Sequence, residues 1–222
     1  MRYDRRGHTR SARGNAVINT SQHADDAAAL IEALRLAPCL VVGSSSGAVI
    51  AVDLALRYEE LLRGVVLSEP PLFSLDPDAG QAAMSELTPR IEEAMASGGP
   101  RAGVDAFMST VCAEMWSILD EDRRDRLRDN AEIGFIDLKA PPLVVEDADL
   151  ARITVAASVV AGRTSLPVFR SVARRLAALL PDGRFVEIDG GHVPYLEHPR
   201  TFAEVVKMFA GELDKRPAIA FS

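Results

Sequence analysis

Short valine-rich runs alternate with longer segments of helical spacing along this chain, and this alternation constrains the fold more than any other feature. Four runs have the length and composition of buried strands and end in small or polar residues: residues 39–42, 64–67, 153–161 and 185–188. Around them, apolar side chains recur every three or four positions, as at Ala27, Leu30 and Leu34. The pattern predicts an α/β fold in which helices cover both faces of a mostly parallel sheet.

One long connection, between the second and third predicted strands, breaks the alternation. It contains no convincing strand, and its spacing predicts helices over residues 79–97 and 102–128, separated by a Gly-Gly-Pro sequence. We therefore predict a discontinuous core made of residues 1–71 and 143–222. A helical cap over residues 72–142 would roof the carboxyl edge of the sheet.

Composition and charge exclude several classes of partner. The 222 residues are 48% hydrophobic and 26% charged, which is typical of a globular domain, and two cysteines cannot form a disulfide framework. A net charge of −7 leaves no basic excess for nucleic acid or an anionic membrane. No apolar stretch reaches the roughly 18 residues that cross a bilayer. We expect a cytoplasmic protein without nucleic-acid or membrane partners and, because its histidines are scattered and its cysteines lone, without a metal.

A candidate nucleophile lies between the first predicted strand and the following helix, in the sequence Gly43-Ser-Ser45-Ser46-Gly47, which fits G-x-S-x-G. A serine at such a bend needs a strained backbone, and Gly43 and Gly47 are expected to remove the Cβ clashes that would block the turn. Ser45 is the candidate nucleophile, and the Ser46 amide is the candidate oxyanion donor at the helix start. A flexible linker or a phosphate-binding turn fits poorly, because strand and helix flank the motif and phosphate fingerprints are absent.

A serine hydroxyl is too weakly acidic to attack unaided, so the hypothesis requires a histidine. His192 directly follows the last predicted strand, and Gly190 and Gly191 would let its loop turn back over the sheet edge. A simple turn histidine would have the same glycines, so for His192 considered alone this alternative stays open. The pairing with Ser45 favours a general base. His198, at the entry to the last helix, is interpreted as structural.

The third member of such a site is a carboxylate that fixes the imidazole tautomer. The loop after the third predicted strand contains Ser165 but no acidic residue. Glu69 directly follows the second strand, at the same sheet edge as Ser45, and is the candidate. A solvated or ion-paired carboxylate at the loop entrance is the alternative interpretation. Asp189 is a poorer candidate, being only three residues before His192.

The order serine, acid, histidine resembles the alpha/beta-hydrolase superfamily over most of the chain, and residues 3–11 look like the loop after its fourth strand. The resemblance implies a three-layer fold. It places Glu69 where some members carry the acid after the sixth strand, and Ser165 where others carry aspartate. Because Ser45 is not an aspartate, epoxide hydrolase and haloalkane dehalogenase activities are disfavoured. Hydrolysis of a small carboxylic ester, lactone or thioester through an acyl-enzyme remains, with no cofactor; haloperoxidase-like and carbon–carbon hydrolases are variants.

The chain also departs from the family, in which several dozen residues precede the loop at residues 3–11. They supply early strands and a second oxyanion amide, the loss of which typically costs about 10²- to 10³-fold in turnover. Their absence would leave the strand at residues 39–42 with an open edge, and such edges pair with other chains. We expect a mis-assigned or truncated start, or a homodimer through that edge with weak activity. The alternative function is a weak or inactive hydrolase-like remnant that acts as a binding or assembly subunit.

Overall fold

The computed structural model describes residues 1–12 and 19–215. Its centre is a parallel sheet whose four strands follow one another in chain order: β1 Cys39–Ser44, β2 Leu62–Ser68, β3 Ala157–Gly162 and β4 Gly183–Ile188. The carboxyl ends of all four strands therefore meet at one edge of the sheet. The α/β prediction is confirmed.

Helices join and flank the strands. In chain order they are α1 Thr20–Ala33, α2 Ser46–Arg57, α3 Pro77–Val111, α4 Ala113–Ile118, α5 Glu121–Arg128, α6 Ala131–Lys139, α7 Asp147–Leu150, α8 Pro167–Leu179, α9 Pro194–Glu197 and α10 Pro199–Leu213. Among the described residues, no helix combines the length and apolarity that a bilayer crossing requires.

The alternation of side chains along each strand divides the core between the two faces of the sheet. Val65 and Leu67 of β2 point into the larger cluster, with side chains of α1, α2 and α8. Val66, between them, points to the opposite face, where Phe202 and Phe209 of α10 cover it. Both faces are buried, which is why these strands read as continuous apolar runs.

The third strand is shorter than its apolar run predicts. It begins at Ala157 instead of residue 153, because the backbone amides of Thr154 and Val155 donate to the Glu59 carboxylate, at 2.8 Å for Val155. At these two residues the Glu59 carboxylate replaces the backbone acceptor that a neighbouring strand would supply.

The connection between β2 and β3 is a helical insertion, as predicted, but its helices break differently. Helix α3 is kinked at Gly99 (φ 73°, ψ −171°), at the Gly-Gly-Pro sequence. The predicted helical stretch over residues 102–128 is helical but divided into three parts. Helix α3 ends at Val111, α4 follows it, and α5 begins where Asp120 accepts the Arg123 amide at 2.9 Å. The division of the chain at residues 72 and 142 stays a prediction.

Strand β1 lies at one side of the sheet, and within residues 1–12 and 19–215 its only strand partner is β2. Val42 in this strand is 46% exposed. Homodimer formation through this edge stays a prediction.

Candidate active site

Ser45 lies at a sharp bend between β1 and α2, with φ 52° and ψ −124°. Its amide donates to the Ser68 carbonyl at 2.8 Å, which ties the bend to β2. A Cβ at Gly43 would lie 2.2 Å from the Gly47 carbonyl oxygen, so this close approach of two backbone segments requires glycine. A Cβ at Gly47 would meet nothing within 4 Å, and the clash that we expected there is therefore absent.

The structure brings together the three side chains that the sequence singled out. Ser45 Oγ lies 2.9 Å from His192 Nε2, and His192 Nδ1 lies 3.2 Å from Glu69 Oε2. His192 is 2% exposed, and its ring packs against Phe169 with 4.1 Å between ring centroids. The imidazole is therefore fixed between a hydroxyl and a carboxylate, an arrangement that can accept a proton from the hydroxyl.

Glu69 follows β2 directly, in a strained conformation with φ 53°, and is fully buried. Its Oε1 accepts the Gly162 amide at 2.6 Å, and its Oε2 accepts the Ser165 hydroxyl at 2.5 Å. Asp189, by contrast, forms an exposed ion pair with Arg163 at 2.5 Å. The carboxylate that reaches the imidazole is Glu69.

Backbone contacts hold the loop that carries His192. The Gly191 amide donates to the Glu197 carboxylate, and Gly190 has a φ of 112°. A Cβ at Gly162 would lie 2.1 Å from the Gly191 carbonyl oxygen, so the end of β3 packs directly on this loop. His198 is exposed at the start of α10, outside the group.

Ser46 is the first residue of α2 and lines the same cavity as Ser45. Amides in the first turn of a helix have no intrahelical acceptor, and the helix dipole favours negative charge there. The Ser46 amide is therefore placed where it can donate a hydrogen bond to an anionic oxygen beside Ser45.

Ser45 and His192 open into a cavity of about 450 Å³ between the sheet edge and the insertion. This volume is within the range of about 300–1,000 Å³ that is usual for small-molecule sites. Its walls are mainly apolar: Pro71, Phe73, Met84, Leu87, Ile91, Met95, Phe107, Val111, Phe135, Leu138 and Phe169. The cavity fits an uncharged, apolar group next to the serine.

A second group of polar side chains joins the N-terminal loop, α1 and α6. We call Arg5, His8, His23 and Asp137 the loop–insertion cluster. Asp137 Oδ2 lies 3.2 Å from Arg5 Nη1, 3.4 Å from His23 Nε2 and 3.5 Å from His8 Nε2. Arg5 and Asp137 also line the cavity. This cluster was not predicted from the sequence, because no local motif links residues so far apart in the chain.

Electrostatics in the loop–insertion cluster favour one charge state. Burial and the Arg5 charge lower the pKa of His8, which favours its neutral form. Burial opposes ionisation of Asp137, but contacts with His23, Arg5 and His8 outweigh it and hold the pKa of this carboxyl below its ordinary value. The cluster therefore favours an ionised Asp137 beside Arg5 and the neutral form of His8.

Two further features of the described part of the chain concern metal ligands and the Cys112 thiol. No group of three or more His, Cys, Asp or Glu side chains there could hold a metal ion. Burial, with Glu197 and Glu69 nearby, raises the pKa of Cys112 to about 12. This thiol therefore stays protonated at neutral pH and is a poor nucleophile.

Comparison with known families identifies the class of protein. A family model described as "Alpha/beta hydrolase family" matches residues 1–205. The chain belongs to this family, and the fold is the α/β hydrolase fold with a short four-stranded sheet and a helical insertion.

Individual relatives agree with this assignment. The "Uncharacterized hydrolase YraK" of Bacillus subtilis (strain 168) is 43% identical over 75 residues, which are 33% of this chain and 28% of that relative. The matched part thus spans less than two thirds of that relative. The structure titled "Est816 as an N-Acyl homoserine lactone degrading enzyme" is 26% identical, with a TM-score of 0.68 over 93% of this chain and 80% of its own. A thermophilic esterase from Thermogutta terrifontis, 21% identical, has the same fold with a TM-score of 0.70, covering 95% of this chain and 78% of its own.

Proposed function

We propose that this protein hydrolyses small carboxylic esters, lactones or thioesters, with Ser45 as nucleophile, His192 as general base and Glu69 as the acid that orients the imidazole. The observation that carries the proposal is the 2.9 Å contact between Ser45 Oγ and His192 Nε2 at the floor of an apolar cavity. Membership of the alpha/beta hydrolase family supports a hydrolase.

The chemistry divides into two steps. His192 Nε2 takes the proton as Ser45 Oγ attacks the substrate carbonyl, and it returns that proton to the departing alcohol, leaving an acyl-enzyme. Water, deprotonated by the same nitrogen, then attacks the acyl carbonyl. The bond to Ser45 Oγ breaks, His192 returns the proton to Oγ, and the carboxylic acid product leaves. The Ser46 amide stabilises the negative oxygen in both steps. Glu69 keeps the Nδ1 proton in place and stabilises the imidazolium.

The cavity indicates the substrate class. Its mainly apolar walls suit an uncharged acyl or alkyl group. Of the charged side chains that line it, Arg5 and Asp137 pair with each other at 3.2 Å, and Glu92 and Lys139 are the other two. The match to Est816, whose title describes lactone degradation, makes an N-acyl lactone one substrate to test, beside simple esters.

A fluorophosphonate probe tests the proposal, because an activated serine oxygen attacks its phosphorus and displaces fluoride, which leaves a stable phosphonyl-serine. We expect labelling at Ser45, found by mass spectrometry of the peptide, and loss of labelling in Ser45→Ala. Ser44→Ala is the matched control, because the adjacent Ser44 hydroxyl is buried without a hydrogen-bond partner and should be dispensable. Unmodified Ser45 under conditions that label a control esterase would contradict the proposal. Together with a concentration-dependent dimer, that result would favour the non-catalytic binding or assembly subunit.

A further inference from the structure

We propose that Ser165 is a positioning residue of this site, whose hydroxyl fixes the Glu69 carboxylate and tunes how tightly His192 holds a proton. The inference rests on the proposed function of the same site, and it goes beyond it by adding a residue that contacts neither the nucleophile nor the substrate cavity.

Ser165 and His192 share one acceptor. Ser165 is 7% exposed, and its Oγ lies 2.5 Å from Glu69 Oε2, the same oxygen that lies 3.2 Å from His192 Nδ1. An ionised carboxylate only accepts hydrogen bonds, so the hydroxyl donates. Hydrogen bonds to the charged form of an acid favour that form. The Ser165 hydroxyl therefore stabilises the carboxylate against the carboxylic acid.

Burial makes this donor important. Glu69 is fully buried, and a buried carboxylate without partners is strongly destabilising. It accepts the Gly162 amide at 2.6 Å on one oxygen and shares the other between Ser165 and His192. The Gly162 donor is backbone, so Ser165 is the partner that a substitution can remove without changing the proposed base.

The turn that presents Ser165 is itself held on both sides. The Ser165 amide donates to the Gly162 carbonyl at 3.2 Å, and the Thr164 amide donates to the Gly190 carbonyl at 3.0 Å. One turn thus contacts the acid and also the loop that leads to His192. The hydroxyl is fixed relative to both groups that it has to align.

Two donors on one oxygen compete for its charge. When the hydroxyl is removed, the carboxylate interacts more strongly with the imidazolium, and the pair holds its proton more tightly. The pH midpoint at which the His192 ring takes up a proton should therefore rise. Turnover should fall, because the carboxylate is less firmly placed. A serine that merely fills space would change stability but leave this midpoint where it was.

The experiment compares the full chain with Ser165→Ala and Ser165→Thr. The control is Ser158→Ala, which removes a buried hydroxyl (2% exposed) from β3, away from Glu69. Two measurements are made: the NMR titration of the His192 ring, and the pH profile of kcat/KM with a p-nitrophenyl ester. In Ser165→Ala we expect the midpoint to rise by about half a pH unit or more. We expect kcat to fall about 10- to 100-fold, as for loss of a hydrogen bond to a charged group. Ser165→Thr should restore both, and Ser158→Ala should change neither.

The two readouts separate the two proposals. The NMR titration needs no turnover, so an unchanged midpoint in Ser165→Ala overturns the role of Ser165, whatever the activity. Absence of hydrolysis and of labelling in the unsubstituted chain contradicts the proposed function instead. If Ser165→Ala does not fold, Ser165→Cys keeps a side chain of similar size with a weak donor, and it carries the same expectation and the same contrary outcome.

Discussion

The candidate active site and the loop–insertion cluster both join histidine to a carboxylate, fully buried in the first and partly buried in the second, yet they are built differently. In the candidate active site, His192 contacts Glu69 at 3.2 Å through one ring nitrogen and Ser45 at 2.9 Å through the other. In the second, three side chains converge on one oxygen of Asp137, and its other oxygen has no hydrogen-bond partner. The first arrangement places the imidazole between the carboxylate and a hydroxyl that can react, whereas the second has no hydroxyl among its named members.

The supporting backbone differs as well. Ser45, Glu69 and His192 all follow strands of one sheet, so the sheet fixes their separations. The side chains of the loop–insertion cluster lie on an N-terminal loop and on two helices, α1 and α6. Sites on rigid elements keep their geometry better than sites on loops. We therefore expect substitutions in the candidate active site to abolish catalysis. Substitutions in the loop–insertion cluster should alter mainly folding stability.

The largest difference is expected between the two buried histidines. His192→Ala should lower kcat/KM by about 10⁵-fold or more, as removal of a triad base does. His23→Leu should lower it less than about tenfold, because His23 contacts Asp137 and neither lines the cavity nor contacts Ser45 or His192. Ester hydrolysis by both folded variants makes the comparison. Equal losses would show that the two groups work as one site.

The next difference concerns the carboxylates. Glu69→Gln should reduce kcat about 10⁴-fold, because an amide can turn the imidazole to the wrong tautomer. Asp137→Asn should leave kcat within about tenfold and lower the free energy of unfolding by about 1–3 kcal/mol, because Arg5 loses the charge of its partly buried partner. Steady-state kinetics and urea unfolding of both variants distinguish the effects. A loss of turnover in Asp137→Asn comparable to that of Glu69→Gln would contradict the assignment.

A smaller effect tests whether the close backbone approach at Gly43 fixes the bend that carries Ser45. Gly43→Ala should cost at least about 3 kcal/mol of folding free energy, since its Cβ would lie 2.2 Å from the Gly47 carbonyl oxygen. Gly47→Ala should change stability by no more than about 1 kcal/mol, because a Cβ there is unobstructed and alanine favours helix. Urea denaturation provides both values. Similar costs at the two glycines would mean that the close approach at Gly43 does not control the bend.

The smallest expected effect is the pH dependence of folding stability that arises from His8 in the loop–insertion cluster. The pKa of His8 is lowered by burial and by Arg5, so the unfolded chain takes up this proton at a higher pH than the folded one. The stabilisation from neutral His8 is therefore complete above about pH 6.5 and is lost as pH falls below that value. His8→Gln should flatten the fall of Tm between about pH 7.5 and 5.5. If Tm falls as steeply with pH in this variant as in the unsubstituted protein, a group other than His8 is responsible for the fall.

Particular residues show how far sequence patterns reach. The valine-rich runs and the G-x-S-x-G motif predict the strands and the bend at Ser45, because burial on both faces and a tight turn each impose a local residue pattern. The start of β3 is not predictable in this way, since Glu59, nearly a hundred residues earlier, takes the amides of Thr154 and Val155. The break near Val111 escapes local patterns too, because the helical spacing continues across it.

By itself, the sequence determined the α/β order of the chain, the strained serine and the set of candidate partners, because strand burial, helix spacing and glycine turns are short-range requirements. Only the tertiary structure decided which carboxylate meets His192, that Ser165 and Gly162 support it, and that two distant histidines gather around Asp137. These contacts join residues that the chain separates by dozens of positions. Their distances depend on how the sheet and the insertion pack, which no local pattern encodes.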